Sequence, residues 1–165
     1  MLGPCTTRDG TMPARITVRD GHADDAAALC GLVTPLARHL LDAGPGTAPG
    51  THPLLATFTA ESFVQRLLSP QFAHYVAEQD NRLCGMIALR DGSHVQHLFV
   101  RDDTRGRGIA RQLWEHALRL HGDRAYTVNS SETAVPVYTR FGFIGSGPAQ
   151  TANGVRFVPM QRQVR

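Results

Sequence analysis

Apolar residues recur along this chain with two periods, and the switches between them divide it into elements. Ile16 and Val18 alternate with polar neighbours over residues 15–19, which predicts a first strand. Ala28, Leu29, Leu32 and Val33 then repeat at helical spacing behind Asp24 or Asp25 as a cap. Pro35 is expected to interrupt that helix, leaving a second piece through Leu36, Leu40 and Leu41. Residues 43–53, with Gly44, Pro45, Gly46, Pro49 and Gly50, read as a loop, and Thr59 caps a short helix bearing Phe63, Val64, Leu67 and Leu68. Residues 74–78 and 83–89 predict strands turned by Gln79-Asp80-Asn81, and Asp91-Gly92 is a hairpin signal that returns the chain as residues 94–100. Strand alternation puts His94, Gln96, Leu98 and Val100 on one face, and Val95, His97 and Phe99 on the other.

The period changes again directly after this strand. Ile109, Ala110, Leu113, Trp114, Ala117 and Leu118 share one helical face, while Arg111, Gln112, Glu115, His116 and Arg119 take the other. Between strand and helix lies Arg105-Gly106-Arg107-Gly108. Its glycines open conformations that a Cβ would block, and the first turn of a helix offers unpaired N–H groups and the positive end of the dipole. Such a turn can cradle an anion, best a phosphate or pyrophosphate, with the two arginines as charge-assisted donors; on glycine spacing alone, a plain basic turn between strand and helix is the commoner reading. Neither the dinucleotide G-x-G-x-x-G spacing nor a P-loop Gly-Lys-Ser/Thr is present. Further on, residues 125–128 predict a strand, a short helix carrying Tyr138 starts near Pro136, and Ile144 with residues 155–160 form a last hairpin joined by a loop.

Composition narrows the reading. The 165 residues with 42% hydrophobic content suit one domain over residues 15–165 behind a loose tail at residues 1–14. No apolar run reaches the roughly 20 residues that cross a bilayer, and the first residues lack a signal-peptide core. Cys5, Cys30 and Cys84 are too few and too scattered for a disulfide framework, which suits the cytoplasm. The net charge of +3 comes from arginines spread along the chain with no lysine, so a small polyanion explains it better than nucleic acid. Metal binding is not expected: His94 and His97 fall on opposite strand faces, and His116 and His121 stand five apart on a helix. Cys84 sits mid-strand, a poor setting for a nucleophile.

Arg105-x-x-Gly108-x-Ala110 after an apolar strand resembles the acyl-CoA pyrophosphate loop of the GNAT superfamily of N-acyltransferases. Ala134-Val135-Pro136-Val137-Tyr138-Thr139-Arg140-Phe141-Gly142-Phe143 resembles the family's late signature, in the family's order. The resemblance runs from about Ile16 to the C-terminus. It implies a mixed, mostly antiparallel central sheet flanked by helices, and an enzyme that moves an acetyl group from acetyl-CoA to a primary amine of a small molecule. A CoA-binding sensor without turnover and a protein or peptide N-acetyltransferase are the alternatives, and a homodimer is compatible with each.

The resemblance also assigns roles. Arg105, Gly106, Arg107, Gly108, Ile109 and Ala110 would hold the pyrophosphate, and the backbone of Leu98, Phe99 and Val100 would meet the pantetheine amides as an added strand. Tyr138 would protonate the leaving thiolate, although residue type alone favours a tyrosine packed against the sheet with its hydroxyl satisfied by backbone. His94, four before the strand's leucine, would accept the amine proton, or is a solvated hairpin-end residue; Gln96, where some relatives carry a second histidine, cannot act as a base. Asn129 would lie where two parallel strands splay, bonding the pantetheine arm or stabilising a turn. His39, His52 and the loop between them would line the acceptor pocket, or be surface residues.

Overall fold

The structure, a computed structural model, describes residues 14–42 and 53–165; the expected tail, His52 and the loop at residues 43–52 fall outside the described residues apart from Ala14. Strand β1 (Thr17–Asp20) leads to helix α1 (Ala26–Asp42), and α2 (Ala60–Leu68) leads to strands β2 (Phe72–Gln79), β3 (Arg82–Arg90) and β4 (His94–Val100). Helix α3 (Ile109–His121), β5 (Tyr126–Ser130), α4 (Val135–Arg140), β6 (Ile144–Gly145), β7 (Gln150–Ala152) and β8 (Val155–Arg162) follow. The sheet runs β1-β2-β3-β4-β5-β8-β6, with β7 paired to β8. Among the described residues, β4 against β5 is the only parallel pair.

Two apolar layers sandwich the sheet. Helices α3 and α4 contribute Ile109, Leu113, Trp114, Ala117 and Tyr138 to one, against Tyr75, Ile87, Leu89, Val95, Tyr126 and Val128. Helices α1 and α2 contribute Leu29, Val33, Leu36 and Phe63 to the other, against Val76, Met86 and Ala88. Helix α3 crosses β3 at Gly85, where a Cβ would stand 3.0 Å from Ile109 Cγ2 and 3.1 Å from Leu113 Cδ1.

Three details differ from the pattern reading. Helix α1 continues through Pro35. A mid-helix proline costs about 3 kcal/mol. Leu29, Leu32 and Val33 before it and Leu36 and Ala37 after it are all buried. Each fully buried Leu or Val is worth about 1.5–3 kcal/mol, so the shared apolar face outweighs the lost hydrogen bond. Strand β7 lies in what reads as a loop; Asn153 and Gly154, with φ of 52° and 76°, turn it into β8, and its three exposed residues carry no apolar alternation. Finally, β5 begins and ends later than expected, so Asn129 lies inside the strand rather than after it.

Candidate active site

Strands β4 and β5 pair at only two positions, His94 with Thr127 and Val95 with Val128. Past them each strand stays bonded to its outer neighbour: β4 to β3 as far as Val100 with Gly85, and β5 to β8 as far as Ser130 with Val158. A gap therefore opens between residues 96–100 and residues 129–130. Backbone groups that face a gap in a sheet are free to bond an extended ligand. Leu98, Phe99 and Val100 line the β4 side, and Asn129, exposed, lies on the β5 side.

A β-bulge sets which side chains face which way. Consecutive Ala88 and Leu89 oppose His97 and Val95, so Gln96 is the extra residue in β4. The extra residue reverses the alternation below it. Val95 packs in the α3–α4 layer with Leu98 and Val100, whereas strict alternation sets it apart from them. His94 opposes Arg90 and turns to the other face, where its Nδ1 lies 2.8 Å from Thr127 Oγ1. The expected separation of His94 from His97 is thus corrected: the register puts both on the α1–α2 side.

At the mouth of the gap the chain makes a 3-10 turn at Asp102–Thr104 and then the glycine turn. Gly106 and Gly108 have φ of 79° and 76°, and Gly108 caps α3 in the left-handed region. A Cβ added at either would meet nothing within 4 Å. Backbone conformation, rather than crowding, demands glycine here, and the space above the turn is open. The Gln112 N–H is the first to bond back to Gly108, at 3.0 Å, which leaves the amides of Ile109, Ala110 and Arg111 as the free donors of the helix start. Arg105 pairs with Asp102 at 2.9 Å and Arg107 reaches Gln79 at 3.4 Å, both at the surface. The turn fits a pyrophosphate by its free amides, its open space and its two cations.

Tyr138 lies in α4, whose first turn holds Pro136. Its ring meets Phe143 and Phe141 edge-on, at 5.5 and 6.3 Å between centroids. Burial pushes its phenol well above the ordinary value, so it keeps its proton at neutral pH. His94 is pushed below its ordinary value by burial and by Arg90, against a smaller pull from Asp91. It is therefore neutral near pH 7, and its Nδ1 shares a hydrogen bond with Thr127 Oγ1; in the tautomer that carries the proton on Nδ1, the Nε2 lone pair is free to act as a base. His39 is exposed on α1. His116 and His121 are engaged elsewhere, with Arg119 Nη2 and the Tyr75 hydroxyl at 2.8 and 2.7 Å. Cys84 is buried, with its thiol donating to Ala77 O at 3.4 Å and raised by burial.

Sequence reasoning missed a polar group on the α1–α2 side. His74, Ala88 and His97 stand in one row across β2, β3 and β4, and both histidines feel the charge of Arg66 from α2. His74 is 5% exposed, and neither of its ring nitrogens has a partner; His97 Nδ1 and Arg66 Nε are sealed and unpartnered as well. Burial and the Arg66 charge push His74 down to about 4 and His97, which also feels His74, to about 3. The one available signal was that His74 and His97 interrupt apolar strands at inward positions.

Among known proteins, a family model described as acetyltransferase (GNAT) domain matches residues 47–164. A peptidyl-lysine N-acetyltransferase YjaB of Salmonella typhimurium is 38% identical over 76 residues, 46% of this chain and 51% of that one. The Escherichia coli YjaB is 38% identical over 63 residues, 38% of this chain and 43% of its own length. The chain thus spans about half the length of the curated relatives it matches. The fold superposes on a GCN5-related N-acetyltransferase of Rhodopseudomonas palustris with a TM-score of 0.77 at 19% identity, covering 94% of this chain and all of that one. It also superposes on PaiA N-acetyltransferase of Thermoplasma acidophilum, solved with coenzyme A, with a TM-score of 0.76 at 13% identity over 90% of this chain and 99% of that one. With the splayed β4–β5 pair, the glycine turn opening α3 and the family match over well more than half of its length, the chain belongs to the GNAT acetyltransferase family.

Proposed function

We propose that this protein is an acetyl-CoA-dependent N-acetyltransferase acting on a primary amine, by direct attack with both substrates bound. The observation that carries the reading is the break in pairing after Val95 and Val128, beside the left-handed glycine turn. The fold likeness to PaiA, solved with coenzyme A, agrees with it. Arg105, Arg107 and the free amides of α3 hold the pyrophosphate, and the β4 backbone from Leu98 to Val100 lines up the pantetheine arm. When bound, acetyl-CoA supplies an acyl group activated as a thioester.

The chain's own groups move the protons. His94 Nε2 takes a proton from the attacking amine, directly or through one water, as the new C–N bond forms. Tyr138 Oη gives its proton to the sulfur as the C–S bond breaks, and both groups are reset by exchange with solvent. Asn129, exposed at the edge of the gap, bonds the pantetheine arm. The acceptor is a small-molecule amine, a reading supported by the unpartnered polar cluster of Arg66, His74 and His97 under α2. A lysine side chain of a protein is the second reading, supported by the activity named for the two YjaB relatives.

A panel of amines, lysine peptides included, with released thiol as the readout tests the proposal. Turnover with at least one amine is expected, and Tyr138→Phe should lower kcat about 10²-fold, the lower end for general acid catalysis because a thiolate leaves readily, with acetyl-CoA affinity little changed. Full turnover in Tyr138→Phe would remove the acid role. Failure of the wild-type protein to bind acetyl-CoA at all would end the proposal.

A further inference from the structure

Under α2 lies a cluster of buried polar side chains that lack partners. His74 opposes Ala88, and Ala88 opposes His97, so a methyl group separates two imidazoles in a row spanning two strand spacings, about 10 Å. Phe58 covers one side, its ring 5.5 Å from His97 and 6.2 Å from Phe99. Arg66 is held in place by two contacts: its Cζ sits 4.7 Å over the Phe63 ring, and its Nη2 donates to Thr57 O at 2.9 Å. None of the ion pairs among the described residues involves Arg66. A cation without a carboxylate and sealed ring nitrogens without partners are each costly in a folded interior.

We propose that His74, His97 and Arg66 recognise a carboxylate on the acceptor, so that the acceptor is a small primary amine that also carries an acid group. This rests on the acetyltransferase reading above and names its substrate class. One carboxylate supplies what all three residues lack. Its oxygens accept from Arg66 Nε and from a ring N–H of each histidine, with the strength of charge-assisted bonds. Both imidazoles are neutral in the unliganded protein, so each can present one N–H without adding charge. His97 is the neighbour of the bulged Gln96, at the start of the gap, while His74 lies two strands inward. An anion held in this row leaves a short amine chain to reach back towards the gap, where His94 faces the same side of the sheet.

Glycine, β-alanine and γ-aminobutyric acid, each beside its own carboxamide, provide the test in the full-length protein. The carboxamide has the less basic amine and is the easier one to deprotonate, so a preference for the acid cannot come from the amine. At least one acid is expected to exceed its amide in kcat/KM, and Arg66→Gln should shrink that ratio about 10–100-fold, the range for hydrogen bonds to a charged group. The imidazole nitrogen resonances of His74 and His97 in the wild-type protein should shift with the acid and not with the amide, a readout that needs no variant to fold. Equal turnover of every pair, an unchanged ratio in Arg66→Gln, or unresponsive resonances would each overturn the assignment. If acetyl-CoA binds and other amines turn over, only the carboxylate site is misassigned; if acetyl-CoA does not bind, the acetyltransferase reading has failed and the carboxylate site with it.

Discussion

At His94 the proposed chemistry and the local electrostatics can be separated by pH. Burial and Arg90 hold its imidazole neutral, so the base is already competent at pH 7 and gains little from a more alkaline medium. His94→Ala should lower kcat/KM most at neutral pH and recover part of it near pH 9, where more of the amine is unprotonated. A pH–rate profile that keeps the wild-type shape would take His94 out of the mechanism. His74 makes a different prediction, about stability. Its folded value, about 4, lies below its unfolded value of 6.5. Above pH 6.5 neither state is protonated and stability is complete; as pH falls towards 4 the unfolded chain takes up the proton first, and stability drops. The loss is on the order of 3 kcal/mol, with His97 adding in the same direction. Urea midpoints measured between pH 7.5 and 4.5 should fall steeply in the wild-type protein and less steeply in His74→Gln. Equal slopes would mean that His74 is solvated.

The elements show what the pattern of residues could and could not reveal. Period-two runs marked β2, β3 and β4, and the spacing of Ile109, Leu113, Trp114 and Ala117 marked α3, because each buries one face against a neighbour. The bulge at Gln96 left no such trace. His-Val-Gln-His contains neither glycine nor proline, and the irregularity shows only in how β4 pairs with β3, where two residues of β4 meet one step of β3. That one residue decided the face of His94, and with it the grouping of His94 with His97. The glycine turn was legible because positive φ restricts residue choice. Gly108→Val would force a β-branched residue to φ of 76°, where even a plain side chain costs about 1–2 kcal/mol. It would also place bulk in the open space above the turn. Both a lowered Tm and weaker acetyl-CoA binding are expected; normal affinity in the valine variant would shift the pyrophosphate site elsewhere.

Across the whole molecule, the sheet works as a divided platform. Helices α3 and α4 cover one face, to which α4 brings Tyr138, and α1 and α2 cover the face that presents His94, His97 and His74. The gap between β4 and β5 joins the two sides, so donor and acceptor can meet through the sheet while reaching it from opposite faces. Backbone hydrogen exchange with and without acetyl-CoA tests this arrangement most directly. Protection is predicted at two separate places, the amides from Arg105 to Arg111 and alternate amides from Gln96 to Val100, with β2 and the helices α1 and α2 unchanged. Protection confined to the α1–α2 side, or spread evenly over the sheet, would contradict the account.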